Sequence, residues 1–521
     1  MKKNYILSTL FMLMAMFTVS CEDRLDIAKH GNMGSQEDFY QTDDEAENAA
    51  ASMYLNLRGL YYNWFFTKNL LADDVWCGGG LRGDNNQMEQ LNEYTFGTNH
   101  GMIQGVFSSM YGLIYKANLI IEKVQPDTHI KARTVAEAKF MRAWANFELV
   151  TLFGTAPLVD HLLQSDEYRR PNSTSEELWN AVETDLKDAI AMNALESKKS
   201  VDDTETGTHV TLEMAEAMLG KAYVSEKKYA EAAQMFDKVI SSGKYELFKG
   251  DFDMQFHAAN NNNCESMLEC QMRNDSEKAW SQYSMLQIMQ GWRTSNITYG
   301  GTAATELATG TYGFMNPRKS LYEAFVKAEG QDGYRLRHTM LTYDQVKDYG
   351  VQIKSGMSLY GSEGYFMYKN RPLKEDCIND NPGFQVLQYI DYRIMRYAEV
   401  LLLAAEANLE AGNSAKALEY INMIRSRAQE QLLTSVTLDD IKLEKRLELC
   451  LECVRYQDLV RWGDAENVLA DQGKQVPNFS DKGVTWDYSN SEYGFKAKHK
   501  LLPIPLKEME LNPNIEQNEG W

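Results

Sequence analysis

The chain is short of cysteine, of cationic charge and of long apolar runs, and each shortage closes a class of function. Seven cysteines in 521 residues are too few for a disulfide scaffold. Lysine and arginine number 53 against 74 aspartates and glutamates, and the resulting formal charge of −21 argues against nucleic acid or an anionic bilayer as a partner. The eight histidines are scattered from His30 to His499, and no H-E-x-x-H pattern occurs, so no metal site and no cofactor are expected. A Walker A pattern and a G-x-S-x-G elbow are both missing. Gly78 to Gly83 formally satisfies G-x-G-x-x-G, but no strand is predicted before it and Asp84-Asn85-Asn86 reads as a poor helix start, which speaks against a dinucleotide site. Cys450 and Cys453 form a C-x-x-C inside an apparent helical pattern, where both pack as small apolar groups. No catalytic residues are assigned, and the reading is of a protein that binds and does not transform its ligand.

What is present begins at the N-terminus. Lys2 and Lys3 precede a mostly apolar stretch from Tyr5 to Val19, and Ser20 stands before Cys21, with Glu22 and Asp23 directly after. This layout reads as a signal peptide over residues 1–20, and the cysteine at the junction looks like a bacterial lipoprotein signal in which Cys21 carries the lipid. The alternatives are a plain secretory signal with an incidental cysteine and a short hydrophobic core segment. Each acyl methylene buried in a bilayer contributes ~0.8 kcal/mol, so two or more chains suffice as an anchor. No later segment approaches the roughly 18 apolar residues that a spanning helix needs.

The rest predicts a mainly α fold with short strands. Helices are expected over Asp43 to Leu60, Phe107 to Val124, and Thr134 to Leu149, with Thr134 and Glu137 as a capping box; another opens at Ser173 to Glu176. Two stretches, Leu212 to Gly243 and Tyr397 to Arg427, share one design. Gly220 aligns with Ala405, Ala232 with Ala417 and Phe236 with Ile421, a spacing similar to a tetratricopeptide repeat. These divide the chain into a helical part over about 36–250, a loop-rich part over about 251–390 and a helical part over about 391–521. A second irregular stretch is read from Tyr61 to Gly105.

Specific motifs crowd the C-terminal part. Arg396-Tyr397-Ala398-Glu399-Val400-Leu401-Leu402 runs into Ala405-Glu406-Ala407. Glu444 to Leu449 leads to Glu452, Arg455, Asp458 and Arg461-Trp462-Gly463. The end carries Leu502-Pro503-Ile504-Pro505, Asn512-Pro513, Gln517-Asn518 and Gly520-Trp521. Together with Ala138 to Ala143, Phe153-Gly154 and Asn263 to Gln271, these resemble the SusD/RagB family of outer-membrane nutrient-binding lipoproteins, whose usual Gly is replaced here by Cys453. The dense acids read as bridged or solvated, not catalytic.

The resemblance implies a surface-exposed lipoprotein of the outer membrane that holds an oligosaccharide or polysaccharide and delivers it to a SusC-like TonB-dependent transporter. Two alternatives stand beside it, a RagB-like peptide binder of the same architecture and a helical-repeat scaffold without a ligand. The ligand site does not travel by motif and is read from chemistry: aromatic rings supply stacking area and polar groups fix orientation. One loop cluster offers Trp64, Trp76, Arg82, Asp84, Asn85 and Asn86, and another Trp280, Tyr283, Trp292, Arg293, Asn296 and Tyr299. Trp76 and Trp292 are the leading pair. The competing reading makes these aromatics loop anchors buried against the scaffold.

Overall fold

The computed structural model describes residues 39–275, 277, 283–300, 307, 311–378 and 387–521. Cys21 and Trp280 lie outside the described residues.

The chain opens with α1 (Asp43–Leu70), started by a capping box in which Thr42 accepts from the Glu45 backbone and Glu45 reaches back to the Thr42 N–H at 2.9 Å. It runs ten residues past the expected end at Leu60, because Tyr61, Trp64, Phe65 and Phe66 all face the interior. Burial of that aromatic surface outweighs the weak local helix signal. A short strand, β1 (Val75–Gly78), and α2 (Asn86–Glu93) follow, then α3 (Gly101–Lys123), α4 (His129–Phe153) and α5 (Ser175–Ala191). The α4 cap is Thr128, six residues before the expected one; Thr134 is buried in mid-helix. Thr174 caps α5 with Glu177 in a capping box, one register later than expected.

The two repeat-like stretches fold as helix pairs, α6 (Leu212–Ser225) with α7 (Tyr229–Ser241), and later Tyr397–Glu410 with Ser414–Arg427. Gly220 explains the close packing of the first pair, since a Cβ there would meet Phe236 Cε1 at 2.7 Å.

Between the pairs lies a region of short elements. It holds β2 (Ser266–Cys270), β3 (Ile297–Tyr299), β4 (Phe314–Pro317), α8 (Lys319–Glu329), β5 (Met340–Thr342), β6 (Val351–Ile353), β7 (Leu359–Tyr360) and β8 (Tyr365–Met367). The chain then returns through β9 (Tyr392–Arg396) to α9 (Tyr397–Glu410), α10 (Ser414–Arg427), α11 (Leu438–Leu449) and α12 (Arg455–Trp462). A hairpin of β10 (Gln475–Ser480) and β11 (Gly483–Ser489) follows. The strands pair antiparallel as β1·β4, β2·β9, β3·β6, β5·β8 and β11·β10·β7. One main core runs from α1 to the C-terminal segment. A satellite core forms around Trp292, Val346, Val351 and Phe366.

The C-x-x-C is not helical. The α11 helix ends at Leu449, and Leu451 and Cys453 adopt φ of 66° and 63° before α12 starts. That left-handed conformation costs any residue but glycine, which agrees with the glycine that the resemblance implies at position 453. Both thiols are buried and unoxidised, and burial pushes each up to about 12, so neither forms a reactive thiolate near neutral pH.

The C-terminal acids and arginines are buried and bridged. Arg396 reaches Glu265 at 2.9 Å, Glu448 at 2.7 Å and Glu452 at 2.6 Å. Arg335 meets Glu329 and Glu444, each at 2.6 Å, while Arg427 pairs with Glu265 and Glu448. Burial alone would raise the Glu448 carboxyl; Arg427, Arg396 and Arg335 hold it well below the usual carboxylate range. These motif residues therefore fasten β9, α10 and α11 together. The last segment is likewise structural: Trp521 donates to Lys498 and Leu501 carbonyls at 3.1 and 3.0 Å and stacks on Phe96.

Candidate functional site

A cavity of about 730 Å³ opens between β1, the start of α8, the turn after α12 and β11. Trp76, Arg318, Ser320, Gln472, Lys474 and Trp486 are among its lining residues. Antiparallel pairing of β1 with β4 sets Trp76 opposite Asn316. This wall is held by backbones in direct contact, since a Cβ on Gly78 would lie 2.3 Å from the Gly313 oxygen and one on Gly361 would lie 2.7 Å from Gly78.

Trp76 is 7% exposed and Trp486 is 48% exposed, with their rings 6.0 Å apart at 67°. The first is therefore a positioned wall and the second an open platform. The Trp76 indole N–H donates to Glu363 at 2.8 Å, and the same oxygen accepts the Lys319 N–H at 2.8 Å. The Arg318 guanidinium lies 3.7 Å above the Trp76 ring, a cation–π contact that covers one indole face. Its Nε donates to the Val75 carbonyl at 2.9 Å. Burial pulls Arg318 down to about 10, which still leaves it charged at neutral pH.

The neighbouring charges are paired. Asp73 bridges Arg446 at 2.9 Å and Arg455 at 2.8 Å. Burial would raise its carboxyl, but those two arginines hold it at about 2. Lys474 pairs with Asp471 at 2.8 Å. The cavity thus combines an exposed indole, a stacked cation and fixed polar groups, an arrangement suited to binding a polar ligand with flat faces.

The residues read from sequence scatter around this site. Trp76 lines it. Arg82, on the loop that follows, forks onto Glu93, and Asn85 caps α2 by accepting the Met88 N–H at 3.2 Å. Both side chains hold the loop. The G-x-G-x-x-G expectation is corrected in its grounds: β1 does precede the glycines and α2 does follow. The conclusion against a dinucleotide site nevertheless stands, because β1 pairs antiparallel with β4 and not within a parallel βαβ unit. Pairing Trp76 with Trp292 as two platforms does not hold. Trp292 is 1% exposed, donates its indole N–H to the Tyr365 carbonyl at 3.1 Å and packs on Phe366. Trp64 is equally interior, against Trp144 and Tyr392, with Lys68 over its ring. Tyr283 packs beside Ile378 and Leu387, and Tyr299 closes β3 opposite Val351.

Sequence reasoning missed Trp486 and Arg318. The alternation Val484, Thr485, Trp486 was the available signal for the first, with Val484 and Trp486 both exposed. Nothing local marked Arg318. Among the described residues, no group of three histidine, cysteine, aspartate or glutamate side chains could hold a metal ion. No helix among them is long and apolar enough to cross a membrane.

Comparison with known proteins bears on what the cavity serves. Residues 360–521 match the model described as SusD family, and residues 35–224 match the model described as starch-binding associating with outer membrane. A SusD-like protein of Bacteroides ovatus is 26% identical over 475 residues, covering 86% of this chain and 81% of that protein. The starch-binding protein SusD of Bacteroides thetaiotaomicron is 22% identical over 504 residues, covering 89% of this chain and 86% of its own. Among solved structures, a laminarin binding SusD-like protein superposes with a TM-score of 0.77 at 26% identity, over 92% of this chain and 100% of that one.

Proposed function

Because the chain belongs to the SusD family, we propose that it captures oligosaccharide or polysaccharide at the Trp76–Trp486 cavity and hands it to a SusC-like TonB-dependent transporter. The single observation that carries the reading is the half-exposed Trp486 indole facing a cavity with fixed polar groups. A pyranose offers C–H faces to such a ring and hydroxyls to the polar rim. Names of similar proteins support the ligand class: one binds laminarin and another starch. Lipidation of Cys21 would hold the chain on the outer membrane, surface-exposed, beside its transporter. The divisions at 250 and 390 then have a simple meaning, with helical parts as scaffold and the middle part as one wall of the cavity.

Titration calorimetry of the detergent-solubilised full chain against a panel of oligosaccharides tests the reading. Saturable binding to at least one glycan, weakened about tenfold or more by Trp486→Ala, is the expected result, as central aromatic anchors behave. Capture of peptides with no glycan bound would overturn it in favour of a peptide carrier.

A further inference from the structure

Arg318 differs from the other interior arginines. Arg335, Arg396, Arg427, Arg446, Arg455 and Arg461 each meet at least one carboxylate. Arg318 meets a backbone carbonyl at 2.9 Å, the Asn92 side-chain oxygen at a long 3.5 Å and the face of Trp76. Among the described residues no carboxylate stands within ion-pair distance of its guanidinium, although the charges of Asp73, Glu363 and Asp74 act on it from farther off. Three nearby acids are paired with other cations, Asp73 with Arg446 and Arg455, Asp74 with Arg446, and Asp471 with Lys474; Glu363 accepts from the neutral Trp76 and Lys319 N–H groups and keeps its charge near Arg318 without touching it.

A partly desolvated cation whose neighbouring acids stay beyond ion-pair distance is only partly compensated, and a ligand that brings a charge into contact completes the compensation. Its planar fork matches a two-oxygen anion edge-on, and stacking on Trp76 fixes the plane in advance. A neutral sugar makes no use of this. Resting on the glycan-binding reading, we propose that the cavity selects acidic glycans, whose rings stack on Trp486 while a carboxylate or sulfate group pairs with Arg318. Lys474 adds a second cation that can turn from Asp471 to the ligand, and Ser320 adds a hydroxyl at the same wall. The formal charge of −21 repels polyanions at a distance. Screening over a Debye length of about 8 Å at physiological salt confines that repulsion, so pairing at contact decides affinity.

The experiment measures affinities of the detergent-solubilised full chain for three probes: hexagalacturonate, a sulfated galactan hexasaccharide and neutral laminarihexaose. At least one acidic probe is expected to bind ten-fold or more tightly than the neutral one, and which of the two does so distinguishes carboxylate from sulfate. Arg318→Gln is expected to erase that ratio, while Arg318→Lys keeps part of it. The ratio is read within one variant, so general loosening of the fold does not mimic the effect. Equal or weaker binding of both acidic probes, with Trp486→Ala still abolishing neutral binding, overturns the charge selection and leaves the glycan site standing. A ratio unchanged in Arg318→Gln also overturns it. Binding of all three probes untouched by Trp486→Ala removes the site reading as well.

Discussion

Arg396 and Arg318 are both guanidiniums drawn out of water, yet their surroundings could hardly differ more. Arg396 sits at 1% exposure among Glu265, Glu448 and Glu452, with every direction answered by a carboxylate. Arg318 lines an open cavity, lies flat on an indole and meets no carboxylate among the described residues. The first is a closed circuit whose members need nothing from outside. The second is left open on its cavity side, where acids act on it only from a distance and a ligand can supply the contact. Charged residues crowded in a motif therefore point to the frame, while a charge without its partner points to the site.

Breaking the closed side has the largest expected effect. Arg396→Met removes the cation shared by three buried acids, leaving Glu265 and Glu448 to Arg427 and Glu452 to Lys369, and should cost about 3–5 kcal/mol of stability, read from urea denaturation. Acid should loosen the Asp73 bridges to Arg446 and Arg455, at the edge of the cavity, more gradually. Asp73 is held at about 2, below its ordinary value, so its contribution is fully present above pH ~4 and is lost as pH falls through 2. That contribution is on the order of 2 kcal/mol, and Asp73→Asn should flatten this part of a melting-temperature profile against pH. On the open side, Trp486→Ala should weaken glycan binding about tenfold and shift stability by less than about 0.5 kcal/mol, because the ring is half in solvent. Equal damage to both measurements would erase the distinction between frame and site. The smallest effect belongs to Cys453→Gly. Relief of the positive φ is worth ~1 kcal/mol and the lost thiol packing costs about as much, so denaturation midpoints should stay close to those of the native chain.

The frame was largely legible and the site only in part. Gly220, Ala232 and Phe236 announce a helix pair because the contact that matters is local and small residues mark it. The break after Leu449 was not visible, since Leu451 and Cys453 take positive φ without the glycine or asparagine that usually signals it. Continuation of α1 through Trp64 and Phe66 depends on the surface those rings find in α3 and α4. Trp76 was identified from its polar, glycine-rich setting. Trp292 shares that setting but fills the satellite core, which only the folded partners reveal. Trp486 joins Trp76 through pairing of β10 with β7, across more than 100 residues of chain, a relation that no periodicity encodes.

The β10–β11 hairpin pairs with β7 at Asn478–Tyr360 and Phe479–Leu359, and β11 is the outer strand. It behaves as a cassette plugged into the frame. Its outer strand can be lengthened, shortened or given a different aromatic residue without disturbing a single carboxylate around Arg396. Ligand choice can thus change by exchange of the outer strand alone, here residues 483–489, while Phe479 on β10 stays packed against the satellite core.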